Sequence, residues 1–460
     1  MRELLRRRWI RCRLIEKCSS SQPARPIAPQ SEDCLFLNIW TPAADSGRRP
    51  VLVFLHGGGF SFGSGASPIL DGVNLASRQD VVVVTLNHRL NIFGHIFLQG
   101  LGGGEFDDAS NAGLLDCVQA LTWLQENIAG FGGDPRRVTL FGQSGGAWKV
   151  AALMAMPAAR GLFHRAIVES GAALRLDTPD VALERSDRVF DLLGVARTDV
   201  RRLQTVPVEA VLAASAAVWP GAKFNPVAGT VGQFRPIAGT RSLPTHPFDP
   251  TAPAISADVP LIIGSTLTED AFFLGSDPAA QNLDLARLRD WVQRLIPGAD
   301  AQDLVREYRE ANPEAPLDFI LYLISSDHRY LRDTTLLAER KAIQGKAKVW
   351  SYLFQRLSPV AEGRWFAPHG AELPFVFDNL DRPEAIFTAG SPTPASRKLA
   401  SEISGAWAAF ARSGDPNHKG LAAWPPYDRT ARQTMVFDET SRSFSDPRRA
   451  GRLRMLALTP

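Results

Sequence analysis

Apolar positions along this chain fall into two kinds of run. Short, nearly unbroken apolar segments recur at 51–55, 81–86, 138–141, 166–169, 260–263 and 349–354. Segments of that length and continuity mark strands covered on both faces, as in a parallel sheet. Longer stretches with apolar residues at helical spacing lie between them, notably 111–128, 147–156 and 395–412. The alternation predicts an α/β fold with a mostly parallel central sheet and helices on both faces. Segments near 175–255 and 275–345 read as helical and loop insertions over the site, where substrate choice would be set. No internal repeat or low-complexity run interrupts the pattern, and Pro and Gly are scattered as in a chain with many loops.

Two of the predicted strands end in unusual sequence. Residues 131–146 read FGGDPRRVTLFGQSGG, so a G-x-S-x-G centred on Ser144 lies between a strand and a helix. A bare G-x-S-x-G is a weak signal. In this context it predicts a tight strand-to-helix turn that exposes the serine hydroxyl and aims the first helical N–H groups at a reacting carbonyl. The run 51–55 ends in His56-Gly57-Gly58-Gly59-Phe60. Three successive glycines cost backbone entropy and suit a loop whose N–H groups must closely approach a substrate oxygen. The expected oxyanion hole comprises the N–H groups of Gly58, Gly59 and Gly145. A flexible loop and a phosphate cradle are the other readings of such a run, and the cradle is discounted because no Lys-Ser/Thr follows the glycines.

A serine nucleophile needs a base and a group to orient it, in chain order Ser, acid, His. His369 lies in WFAPHGAELPFVF, a predicted loop flanked by Pro368 and Gly370. Glu269, in VPLIIGSTLTEDAFF, falls six residues past Ile263, with Asp270 as the adjacent rival. Spacing alone leaves both acids open. The expected geometry has the Ser144 hydroxyl within hydrogen-bond reach of one imidazole nitrogen and the acid at the other.

These segments resemble the type-B carboxylesterases, the family of acetylcholinesterase and bacterial para-nitrobenzyl esterases. EDCLFLNIWTP (32–42), HGGGF, NHRLNIFG (87–94), NAGLLD (111–116), the serine segment, HGAELPFVF and FARSGDPN (410–417) occur in family order from about residue 31 to the end. The resemblance implies the α/β-hydrolase fold, Ser144 as nucleophile, His369 as base and Glu269, in preference to Asp270, as acid. It also implies that Ser170 supports the acid and that Arg89 and Asp116 form a structural ion pair. The activity implied is serine-dependent hydrolysis of a small to medium carboxylic ester through an acyl-enzyme. Hydrolysis of a thioester, amide or lactone is the alternative in the same class, and a non-catalytic binding or adhesion protein on the same fold the alternative in another.

The chain departs from the family pattern in two places. Family members usually read G-E-S-A-G where this chain has G-Q-S-G-G, so Gln143 replaces a carboxylate and Gly145 an alanine. Trp148 and Lys149 replace small residues. Lys149 is read as pointing to solvent or pairing with an acid, or else as a cation that favours an anionic substrate. The family's small N-terminal antiparallel sheet and its G-I-P-Y-A-x-P-P stretch are also missing. Residues 1–30 are therefore an atypical basic segment ahead of a single domain, 31–460. Either this lineage lacks the sheet or the true start lies upstream, and an uncovered edge is expected to lower solubility. Family members often bridge the EDCL cysteine to one upstream, which here would be Cys18 to Cys34. That closure could contribute roughly 3 kcal/mol in an oxidising compartment.

Composition narrows the partners. The 460 residues, 45% hydrophobic, can bury a large core, and 51 basic against 48 acidic residues give a net charge of +3. Residues 1–17 alone carry six Arg and one Lys against two Glu, which leaves −2 for the rest. A basic excess confined to one end gives no support to nucleic-acid binding. No run of eighteen apolar residues is present, so stable membrane insertion is not expected. The Arg-rich start has no apolar signal core. A cytoplasmic protein is expected from this start, and a secreted or periplasmic one from a start further upstream. The histidines and cysteines lack metal-ligand spacing and no G-x-G-x-x-G follows a strand, so neither metal nor cofactor is implied. Cys117 reads as an inert core thiol. A monomer or weak homo-oligomer is expected.

Overall fold

The computed structural model describes residues 31–219 and 234–458. Nine strands form one sheet: β1 (Leu37–Trp40), β2 (Arg49–Leu55), β3 (Val82–Leu86), β4 (Gly133–Gln143), β5 (Arg165–Glu169), β6 (Leu261–Thr266), β7 (Val349–Phe354), β8 (Gln433–Phe437) and β9 (Arg442–Ser445). Their spatial order is β1-β3-β2-β4-β5-β6-β7-β8-β9. The strands from β3 across to β8 run parallel, and β1 and β9 close the two edges antiparallel.

All six strands read from the sequence are present, and the pleat explains why their runs are unbroken. Side chains alternate between faces. Val51, Val53 and Leu55 of β2 enter one core with helices Ala112–Asn127 and Gly145–Ala155, while Leu52 and Phe54 enter the other with helix Pro394–Ser413. Both faces are covered, so every position from Val51 to Leu55 is apolar. Burying each such side chain stabilises the fold by roughly 1.5–3 kcal/mol. Helix Pro394–Ser413 starts where its sequence says it should. Thr393 and Ser396 form a reciprocal cap, Pro394 takes the first turn, and Gly414 ends the helix at φ 79°.

The three unread strands lie toward the edges. β1 is half-buried throughout and β9 mostly exposed, so neither shows a continuous apolar run. The expected insertion near 275–345 needs a correction at its end. Helices Leu285–Leu295, Ala301–Ala311 and Leu317–Ser326 share a core of their own, whereas Leu337 and Ala338 of helix Arg332–Ile343 pack into the core beneath the sheet. The 175–255 region carries helices Pro179–Leu193 and Val208–Ala217 and long loops. Arg89 and Asp116 form a bidentate pair with N–O distances of 2.6 and 2.7 Å. Cys117 is buried, and burial raises its thiol to about 12. Cys34 is also buried, while Cys18 and the basic segment 1–30 lie outside the described residues. No described helix is long and apolar enough to cross a membrane.

Candidate active site

The parallel strands deliver their carboxyl ends to one edge of the sheet. The loops following β2, β4, β5, β6 and β7 carry His56–Gly59, Ser144, Ser170, Glu269 and His369 respectively. Ser144 joins β4 to helix Gly145–Ala155 with φ 58° and ψ −124°, a left-handed conformation that a non-glycine residue adopts only when its surroundings force it. Its N–H donates to the Glu169 carbonyl at 2.8 Å and its carbonyl accepts from Trp148 at 3.0 Å, so both sides of the turn are fixed. The flanking glycines are required by close approach. A Cβ on Gly146 would collide with the Leu55 carbonyl, and one on Gly145 would collide with the backbone of Gly59.

The glycine loop after β2 therefore lies directly against the start of the serine helix. Gly58 and Gly59 have φ of 86° and 61°. The N–H groups of Gly58, Gly59 and Gly145 donate to no protein acceptor among the described residues. Gly145 is the first residue of its helix, where an N–H has no intrahelical partner. Three free donors beside a strained serine suit an anionic oxygen.

His369 Nδ1 lies 2.5 Å from Glu269 Oε2. Glu269 Oε1 accepts from the Thr266 N–H at 2.7 Å, and the Glu269 carbonyl accepts from the His369 N–H at 3.2 Å. The Thr268 hydroxyl donates to the Ala367 carbonyl at 3.1 Å and accepts from the Ala367 N–H at 2.9 Å, stitching the two loops together. Glu269 is fully buried and His369 is 8% exposed. Asp270 faces elsewhere. It pairs with Arg329 at 2.6 Å and accepts from Ser325, and burial raises its carboxyl above the usual range.

One expectation is corrected. The Ser144 hydroxyl makes no hydrogen bond to His369. The Nε2 of His369 lies instead 3.2 Å from the Nε2 of Gln143. With the Nδ1 proton directed at Glu269, Nε2 is a lone pair, and the Gln143 amide is its donor. Ser170 touches Glu372 (3.3 Å from Oε1), three residues past the histidine. Its backbone has φ 53° and its side chain is buried. Glu372 and Glu169 are buried as well, and the Trp407 indole N–H donates to Glu169 Oε1 at 2.6 Å. Burial holds Glu372 well above the ordinary carboxylate range, with Glu269 and Glu169 adding to it, and burial pushes Glu169 up to about 8. Sequence reasoning passed over both carboxyls, although each lies close to a residue it singles out: Glu169 precedes Ser170, and Glu372 belongs to HGAELP, three residues past His369.

Lys149 corrects the solvent-facing reading. It is fully buried, and Nζ donates to the His56 carbonyl at 3.0 Å and the Gly59 carbonyl at 2.8 Å. Trp148, half-buried, stacks on Phe60 at 5.9 Å. Aromatic rings also surround the imidazole, with Phe273 at 5.1 Å, Tyr330 at 5.4 Å and Phe272 at 6.3 Å from His369. No group of three or more His, Cys, Asp or Glu among the described residues could hold a metal ion.

Comparison with known proteins shows the family and the fold. Residues 11–455 match the Carboxylesterase family. The chain is 36% identical over 426 residues to the para-nitrobenzyl esterase of Bacillus subtilis (strain 168), covering 91% of this chain and 81% of that protein. It is 34% identical to the phenmedipham hydrolase of Pseudarthrobacter oxydans, over 87% of this chain and 77% of that one. The crystal structure of a Geobacillus stearothermophilus carboxylesterase superimposes with a TM-score of 0.79 at 37% identity, covering 96% of this chain and 88% of that one. The chain belongs to the carboxylesterase family, has its α/β-hydrolase fold, and is a serine hydrolase of carboxylic esters.

Proposed function

We propose that Ser144, His369 and Glu269 carry the reaction and that the N–H groups of Gly58, Gly59 and Gly145 form its oxyanion hole. The observation that carries this reading is the 2.5 Å contact of His369 with Glu269, set beside a serine held in a strained turn at a helix start. Ser144 Oγ attacks the ester carbonyl as His369 Nε2 takes its proton. Glu269 fixes the tautomer and stabilises the imidazolium. The tetrahedral oxygen is met by the three backbone donors, the imidazolium protonates the leaving alcohol, and water deprotonated by His369 releases the acid. Because Gln143 caps Nε2 at rest, its amide must turn aside before the base can serve the serine. Ser170 and Glu372 act behind the acid without touching substrate.

The aromatic rings around His369, together with relatives named for para-nitrobenzyl esters and phenmedipham, favour a small to medium ester with an aromatic or alkyl part. Residues 31–460 would act as one catalytic unit, as a monomer or weak homo-oligomer. The charge balance outside residues 1–17 gives no footing for nucleic acid. The test is hydrolysis of a short para-nitrophenyl ester by the wild-type protein and by Ser144→Ala. The variant should melt like wild type and lose roughly 10⁴-fold or more in kcat. Turnover unchanged in Ser144→Ala would overturn the assignment.

A further inference from the structure

We infer that Lys149 is a positioning residue for the oxyanion hole: its buried ammonium grips the carbonyls at both ends of the His56–Gly59 segment and so fixes the N–H groups of Gly58 and Gly59. The inference rests on the oxyanion-hole reading above. Lys149 lies in the second turn of the serine helix, and its Nζ reaches across to His56 O at 3.0 Å and Gly59 O at 2.8 Å. The peptide N–H groups assigned to the hole lie between those two carbonyls in the chain. One end of the brace is thus the rigid helix that carries Ser144, and the other is the loop that must keep register with it.

The physical case is one of cost and return. Burying an ammonium completely is unfavourable by several kcal/mol unless polar groups meet it. Here carbonyl dipoles of the glycine loop meet it, and they belong to the segment most in need of restraint, since glycines lose the most backbone freedom on ordering. Backbone hydrogen bonds also tie the loop, from the Ser61 and Phe62 N–H groups to the Gly58 carbonyl, both 3.2 Å, and from the Asn91 N–H to the Phe60 carbonyl. None of these hydrogen bonds reaches the serine helix, which meets the end of the loop through the Trp148 ring stacked on Phe60 but grips its carbonyls through Lys149. Gly145 complements the brace, because only without a Cβ there can Gly59 settle against that helix. Substrate cannot reach the ammonium, which is 0% exposed. The imidazoles of His56, His88 and His95 nearby are kept neutral by burial and by Lys149 itself, so they do not supply the brace with a pH switch.

A brace of the oxyanion donors acts on the transition state more than on bound ester. The test compares wild type with Lys149→Met, which keeps the length and loses the donors, and with Lys149→Gln, which keeps one donating group. Steady-state kinetics on a para-nitrophenyl ester would be read beside affinity for a trifluoromethyl ketone, which forms a tetrahedral adduct, and for a non-reacting alkyl ether of the same shape. Lys149→Met should lose roughly 10- to 100-fold in kcat with KM within about threefold. Ketone affinity should fall in parallel, ether affinity should hold, and Lys149→Gln should fall between. Unchanged kcat and ketone affinity in a folded Lys149→Met overturn the inference, as does an equal loss for ketone and ether, which would mean general damage to the pocket. If Lys149→Met does not fold, Lys149→Gln decides alone, with wild-type kcat overturning the brace. Ser144→Ala, run alongside, separates the two readings. Its inactivity upholds the site even where the brace fails, and its retained activity removes the site and the brace together.

Discussion

The resting imidazole has its lone pair occupied by an amide, and that amide is where the chain departs from its family. Gln143 stands where a carboxylate is usual, and its Nε2 donates to His369 Nε2 at 3.2 Å. A neutral donor caps the base without stabilising its protonated form. A carboxylate at the same position would favour the imidazolium. Gln143→Glu is therefore expected to move the acid limb of the kcat/KM profile to higher pH, because the base would be lost to protonation sooner on acidification. A profile that superimposes on wild type would show that residue 143 does not sense the histidine. Ser144 and His369 stood out as candidates because the chemistry proposed for them forces a local sequence: glycines around a strained turn, and a loop at a strand end. Gln143 was legible as a departure but not as a contact, because its partner lies 226 residues away. Lys149 was misread for a related reason. Lysine is rarely buried without polar partners, and the carbonyls that meet it belong to another loop.

At the scale of elements, the serine helix and the glycine loop form one device. Helix Gly145–Ala155 presents a bare Cα at residue 145, and Gly59 fills the space a side chain would take. The family alanine is therefore not neutral here. Gly145→Ala should push Gly59 away from the helix, lengthen the Lys149–Gly59 contact and misplace a donor. The expected result is a loss of roughly 10-fold or more in kcat with a smaller change in melting temperature. Wild-type turnover would mean that the loop relaxes without losing its register. The elements themselves were readable wherever burial is two-sided, as in β2 and β6, whose residues beyond Arg49 are all buried. Reading failed at β9, whose RSFS is mostly exposed and is held by pairing to β8 and not by a core of its own. It failed also at Arg332–Ile343, where sequence shows an amphipathic helix but not which of two neighbouring cores its apolar face will join.

Across the whole molecule, the candidate active site stands on a buried acidic layer drawn from distant parts of the chain. Glu169 ends β5, Glu269 follows β6, Glu372 follows His369, and Trp407 of the long helix closes the group from the opposite core. Glu169 Oε2 and Glu372 Oε2 are buried without a hydrogen-bond partner. This arrangement has a consequence for stability. Burial raises Glu169 from 4.5 to about 8, so the folded protein holds a proton that the unfolded chain releases. A carboxyl raised in this way opposes folding once the unfolded chain ionises. The penalty is absent below pH 4.5, grows as pH rises, and is complete above about 8. Glu169→Gln keeps an oxygen for the Trp407 N–H and removes the titration. The variant should match wild type near pH 4.5 and gain stability progressively toward pH 8.5, by on the order of 2 kcal/mol after relaxation around the site. Reversible urea unfolding of both proteins across that range measures the difference directly. A gap that stays constant with pH would mean that Glu169 ionises no differently in the folded and unfolded chains. A gap that opens in the expected direction would show that the fold accepts a standing electrostatic penalty at neutral pH in the layer directly beneath its proposed catalytic residues.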